Sequence, residues 1–174
     1  MKKPNILYVF ADQLRYSALA CNGNPIIRTP NFDRLASEGL SFDRAFSCGP
    51  ICGPYRAQIL TGNYSHTNGV MCNEYRLFDN QQTLAHRFGK NGYRTAYVGK
   101  WHLGLGKGRD DSGKGMDYNS YIYPGPNQLG FDYSHIMPDT QDRVPTVYVE
   151  NGYVVNLDPD DPIEVHFKKN LKFI

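Results

Sequence analysis

Asn91-Gly92-Tyr93-Arg94-Thr95-Ala96-Tyr97-Val98-Gly99-Lys100-Trp101-His102-Leu103-Gly104 is the stretch on which the fold turns. Asn91-Gly92 closes a helix that Thr83 opens, with Leu84 and Phe88 on one face. Thr95 to Val98 then reads as a short buried strand, and Gly99 lets the chain leave its end. Lys100 and His102 follow, two residues apart, and share a side if the chain there is extended. Further back, Asn5 to Ala11 is apolar without alternation, the pattern of a strand covered on both faces of a parallel sheet, with Asp12 at its end. Thr29-Pro30 is an N-cap and first helical position for a helix through Leu35 that Gly39 stops, and Leu40 to Phe46 reads as another strand. Strand and helix alternate, which predicts an α/β doubly wound, mostly parallel sheet. Ligands of such sheets gather beyond the C-terminal strand ends, the rim to which Asp12, the Lys100-His102 pair and the segment after Phe46 are expected to converge.

That segment contains Cys48-Gly49-Pro50-Ile51-Cys52-Gly53-Pro54-Tyr55-Arg56-Ala57-Gln58-Ile59-Leu60-Thr61-Gly62. Proline is tolerated in a first helical turn and glycine ends a helix, so a helix is predicted from Cys52 to Gly62. Residues four apart share a helix face, and side chains lean toward the N-terminus, so Arg56 can reach over Cys52. A cysteine there faces a guanidinium and free backbone N–H groups, a setting that activates a thiol or holds an anion. The bland alternative is a buried, inert thiol.

The chain has 174 residues and a net charge of +2, enough length for one good core and no excess of charge for a nucleic acid or a membrane surface. Neither partner is expected. Cys21, Cys48, Cys52 and Cys72 lack zinc-ribbon spacing and are too sparse for a disulfide scaffold. Met1-Lys2-Lys3 resembles a signal n-region, but the apolar run after Pro4 ends too soon at Asp12, and no transmembrane run exists. As written, the sequence points to the cytoplasm, and to the periplasm or exterior if the true start lies upstream.

The order Cys52, Pro54, Arg56, Thr61-Gly62 resembles the signature of the sulfatase family, and Gly99-Lys100-Trp101-His102-Leu103-Gly104 resembles that family's second signature. Thr29-Pro30-Asn31-Phe32-Asp33-Arg34-Leu35-Ala36-Ser37-Glu38-Gly39 and the residues before Gly99 are also family-like. The likeness is strong over the first hundred residues and weaker, arylsulfatase-like, over Gly130 to Pro162. Tyr55 departs from it, since many members have a small residue there. The resemblance implies an alkaline phosphatase-like fold and sulfate monoester hydrolysis through a formylglycine made from Cys52. It also implies a divalent cation, calcium or alternatively magnesium, bound by Asp12 and the formylglycine at position 52. Where many members have two successive acids this chain has Asp12-Gln13, and Gln13 is the weaker candidate ligand. A hydrated aldehyde offers one hydroxyl to attack sulfur and a second whose deprotonation releases sulfate. In that scheme Arg56 stabilises the diol and the cation site, Lys100 balances sulfate charge, and His102 is the base. A sulfated small molecule or carbohydrate and a formylglycine-generating maturation enzyme are the implied partners. A phosphonate or phosphate monoester hydrolase on the same scaffold, or an inactive truncated fragment, is the alternative.

Rival motifs fail on particular residues. Gly108, Gly113 and Lys114 have phosphate-loop spacing, but Gly115 stands where a hydroxyl should hold magnesium. A cysteine phosphatase would need arginine where this chain has Gln58, and His66, His86, His135 and His166 form no metal spacing. The expected organisation is a core over 1–104, a long loop over 105–143, whose part up to Gly130 reads as a surface loop or lid, and a β-hairpin over 144–157 with an Asn151-Gly152 turn. His166 to Ile174 has neither cap nor tail composition. With no Asp-Asn or Asp-His pair in a strand-end context after His102, the remaining metal ligands and leaving-group acid are expected in a further, C-terminal part.

Overall fold

The computed structural model describes residues 3–73, 75–104, 116–141 and 144–165. The chain divides into two compact units, Met1–Phe46 and Ser47–Ile174.

In the first unit a run of extended chain leads into a turn at Asp12-Gln13, where Gln13 takes a φ of 59°. Two 3-10 turns, Tyr16–Ala18 and Ala20–Asn22, precede helix α1, Pro30–Glu38. Proline sits at its first position and Gly39 follows its last, as the sequence predicts. Thr29 occupies the N-cap, but its hydroxyl accepts the Ala20 N–H and donates to Asp33 Oδ1, both at 2.9 Å, so it ties the turn to the helix instead of capping it. The strands expected at 5–11 and 40–46 are corrected: neither carries a ladder, and Leu7 and Phe42 are 88% and 72% exposed. An apolar run becomes a strand only when another strand takes up its N–H and C=O groups, and no described residue does so here.

The second unit holds every fully buried apolar side chain among the described residues. Helix α2, Cys52–Thr61, ends at Gly62 in the left-handed conformation, and the short α3, Ser65–Asn68, packs against it. Helix α4, Leu84–Lys90, starts at Thr83 in a reciprocal cap: Thr83 Oγ1 accepts the His86 N–H and the His86 ring accepts the Thr83 N–H. The wholly buried Thr83 hydroxyl also reaches the Leu129 carbonyl, fixing the helix start to the chain beyond.

Among the described residues four strands form one sheet in the order β1–β2–β3–β4: Ala96–Lys100, Tyr133–Met137, Val149–Glu150 and Tyr153–Val154. Strands β1 and β2 run parallel, with Ala96 opposite Tyr133 and Lys100 opposite Met137, and the later pairs are antiparallel. The hairpin turns at Asn151-Gly152, with φ of 47° and 90°, the positive pair that an Asn-Gly turn supplies at least cost. Strand β1 differs from expectation in burial: Val98 is 73% exposed, so its side of the sheet is left uncovered by the described residues.

The long-loop reading of 105–143 is also corrected. Residues 105–115 lie outside the described residues, but β2 occupies part of the rest, and Tyr118, Ile122, Leu129 and Phe131 are buried in the core. That segment lacks periodicity because it packs as irregular chain held by proline and a 3-10 turn at Pro126–Leu129, not because it is solvated. The expectation for His166 to Ile174 lies outside the described residues. No helix among the described residues is long and apolar enough to cross a membrane.

Candidate active site

Helix α2 begins at Cys52, a half-buried thiol outside any disulfide, and puts Arg56 one turn further on. Arg56 is only 5% exposed. Its Nη1 donates to the Lys100 carbonyl at 2.5 Å and to the Tyr97 hydroxyl at 3.1 Å, and Tyr97 donates to the same carbonyl at 2.7 Å. The end of β1 is thereby bound to the first turns of α2. Tyr97 is itself wedged between Trp101 and Phe131, with edge-on ring contacts of 5.1 and 5.4 Å. A guanidinium buried with this much directed bonding keeps one orientation, which is what an electrostatic role demands.

The helix start is more occupied than its sequence suggests. Pro54 has no N–H, the Gly53 N–H donates to Asn73 Oδ1 at 2.8 Å, and the Tyr55 N–H donates to the Ile51 carbonyl at 2.9 Å. The expected row of free N–H groups around Cys52 is therefore corrected. Gly53 also shows why a small residue stands beside the cysteine: a Cβ there would lie 3.3 Å from Asn73 Oδ1 and 3.4 Å from the His102 carbonyl. Helix start and β1 exit touch at this glycine.

Beyond Lys100 the parallel pairing continues as single bonds, Trp101 N–H to the Met137 carbonyl and His102 N–H to the Pro138 carbonyl, both 2.9 Å. His102 then turns the chain with a φ of 53°, a strained value for a residue with a side chain. His102 thus leaves the extended conformation that Lys100, the last residue of β1, still holds. The turn continues into Gly104, whose φ of 106° and close approach to Arg76 require glycine, and the Leu103 carbonyl accepts the Leu77 N–H at 3.2 Å.

His102 is 4% exposed, and its Nε2 lies 3.1 Å from Asp139 Oδ1. The distance is that of an ion pair, while the alignment falls short of a hydrogen bond. Burial, reinforced by the Asp139 charge, pushes the phenol of nearby Tyr118 up to about 12. The indole N–H of Trp101 and the hydroxyl of Thr140, both buried, have no partner among the described residues.

The second unit brings together Cys52, Arg56, Lys100 and His102, and Asp12 and Gln13 belong to the first. Among the described residues no three His, Cys, Asp or Glu side chains gather as metal ligands. One carboxylate and one amide at the Asp12-Gln13 turn fall short of the six to eight oxygens that calcium takes, so these residues alone do not form its site. Asn73, Tyr97 and Asp139 were not legible as site residues. Asn73 and Asp139 come from distant segments, and Tyr97 reads as an ordinary strand residue.

The family model described as Sulfatase matches residues 4–154. An N-acetylgalactosamine-6-O-sulfatase of Bacteroides thetaiotaomicron is 43% identical over 96% of this chain, which covers 33% of that relative. Human arylsulfatase D is 38% identical, with 79% of this chain and 24% of the relative covered. A solved structure from work on the metabolism of multiple glycosaminoglycans by Bacteroides thetaiotaomicron superposes with a TM-score of 0.83 at 40% identity, over 93% of this chain and 34% of that one. Another, described as a complex with its substrate D-glucosamine-2-N,6-O-disulfate, gives 0.69 at 32% identity over 88% and 28%. The chain therefore spans about a third of the length of these proteins.

Proposed function

The chain belongs to the sulfatase family, and from that premise we propose that it carries the nucleophile side of a sulfuric ester hydrolase acting on a sulfated carbohydrate. The observation that supports this reading is the bond from Arg56 to the Lys100 carbonyl, which ties the Cys52 helix start to the Gly99–Gly104 turn. Two segments that separately resemble the family's signatures thus meet through a buried cation. The carbohydrate is proposed because relatives bear the names of amino-sugar sulfatases and one similar structure is described with a sulfated glucosamine.

An aldehyde made from Cys52 by a maturation enzyme would supply, once hydrated, the oxygen that attacks sulfur and the means of releasing sulfate. Arg56, fixed by Tyr97 and the Lys100 carbonyl, presents positive charge one helical turn from position 52. Lys100, at the end of β1, would offset sulfate charge, and His102 would take a proton. Asp12, with Gln13 second, offers oxygen to calcium or magnesium as part of a larger ligand set.

The test uses the whole protein co-expressed with a maturation enzyme. Peptide mass spectrometry is expected to show Cys52 converted to an aldehyde, and Cys52→Ala is expected to lower turnover of a sulfated amino sugar at least 1,000-fold while leaving the fold intact, as loss of a covalent nucleophile does. Active protein carrying only the free thiol overturns the mechanism. Faster turnover of a phosphonate than of a sulfate ester of the same phenol overturns the substrate class.

A further inference from the structure

We propose that Asp139 is a positioning residue for His102, holding the proton on Nε2 and leaving Nδ1 as the nitrogen that accepts a proton in the reaction. The role in turnover rests on the sulfatase reading above; the placement of the proton does not.

The juxtaposition follows from strand register. Parallel pairing sets Lys100 opposite Met137. The bonds from Trp101 to Met137 and from His102 to Pro138 carry that register past the strand ends, and two residues beyond Lys100 it sets His102 against Asp139. A parallel pair in fixed register thus delivers an imidazole and a carboxylate to the same point, although the two are far apart in sequence.

Both side chains are withdrawn from water, at 4% and 11% exposure. Water is therefore largely unavailable to satisfy the carboxylate, and removing a carboxylate from water without a partner costs several kcal/mol. Its oxygen lies 3.1 Å from Nε2. A carboxylate beside one ring nitrogen favours the proton there and makes the opposite nitrogen the acceptor. The charge acts locally, since it contributes to raising Tyr118. The backbone of His102 is anchored by its N–H bond to the Pro138 carbonyl, and burial of the side chain to 4% exposure leaves the ring little room to turn away from Asp139. Contacts of this kind often reach full alignment only when a ligand is bound, which accords with the short but poorly aligned pair seen here.

The test is nitrogen-detected NMR of the 15N-labelled 174-residue chain, with His102 assigned through His102→Gln. The expected wild-type signature is a protonated Nε2 with a downfield, slowly exchanging proton, and an unprotonated Nδ1. Asp139→Asn keeps the volume and an acceptor but removes the charge, so that proton is expected to move upfield, and in Asp139→Ala to be lost to exchange. Thermal melts establish that each variant is folded; if the alanine variant is not, the asparagine variant decides. A proton on Nδ1 in the wild type, or an Nε2 proton unmoved in Asp139→Asn, overturns the proposal, and neither result depends on sulfate hydrolysis. In the whole protein, Asp139→Asn is expected to lower kcat about 10-fold to 100-fold with KM little changed, and a change confined to KM would overturn the role in turnover.

Discussion

The runs 5–11 and 95–98 look alike in sequence, each a short apolar stretch ending near a polar site residue, yet they end up in different states. Ala96–Lys100 finds Tyr133–Met137 and becomes a strand in a defined parallel register. The earlier run remains extended without a ladder, with Val9 76% exposed. Around the first of these the chain builds a core from Ala57 to Val149, whereas no described residue before Gly53 is fully buried. The difference teaches that apolarity marks a candidate strand, while the partner, and with it the placement of the residues at its end, is a separate matter.

The largest expected effect breaks the contrast at its strongest point. Arg56→Ala removes a buried guanidinium and leaves the Lys100 carbonyl only its bond from the Tyr97 hydroxyl, and it is expected to destabilise the second unit by about 3 kcal/mol in urea unfolding. Arg56→Lys is expected to recover less than half, since an ammonium cannot reproduce the planar fork. A loss below about 1 kcal/mol would mean that the helix start and the strand exit are held by something else.

An intermediate effect comes from Tyr118. Its phenol is raised from 10.0 to about 12, mainly by burial and secondarily by Asp139. The neutral form is favoured in the fold, so stability is intact below pH 10 and falls as pH rises toward 12, by about 2 kcal/mol in all. Tyr118→Phe is expected to flatten that fall, read from unfolding midpoints across the alkaline range. An unchanged slope would show that this ring is not enclosed.

The smallest effect sharpens the other side. Leu7→Ser is expected to change stability by no more than about 0.5 kcal/mol, because the side chain is 88% exposed. A cost above about 2 kcal/mol would mean that the run is packed in solution and that the two regions are not so different.

Much of the second unit was legible. The start of α2 at Cys52 and its end at Gly62, the Thr83 start of α4, and the Asn151-Gly152 hairpin all rest on local backbone rules for proline, glycine, threonine and asparagine, which act within one turn of chain. The missed elements depend on chain far away. Strand β2 lay inside a stretch of low periodicity, Asn73 caps a helix from a distant position, and Asp139 reaches His102 only through the pairing of β1 with β2.

By itself, then, the sequence determined the local structure that carries the candidate positions, because a helix starting at Cys52 with Arg56 one turn on, and a strand ending at Lys100 with His102 beyond it, follow from short-range geometry and residue chemistry. Tertiary structure alone decided that Arg56 binds the Lys100 carbonyl, that the helix-start N–H of Gly53 is spent on Asn73, and that His102 stands against a carboxylate. Those outcomes depend on strand register and burial, which are set jointly by segments far apart in the chain and leave no periodic signal in any one of them.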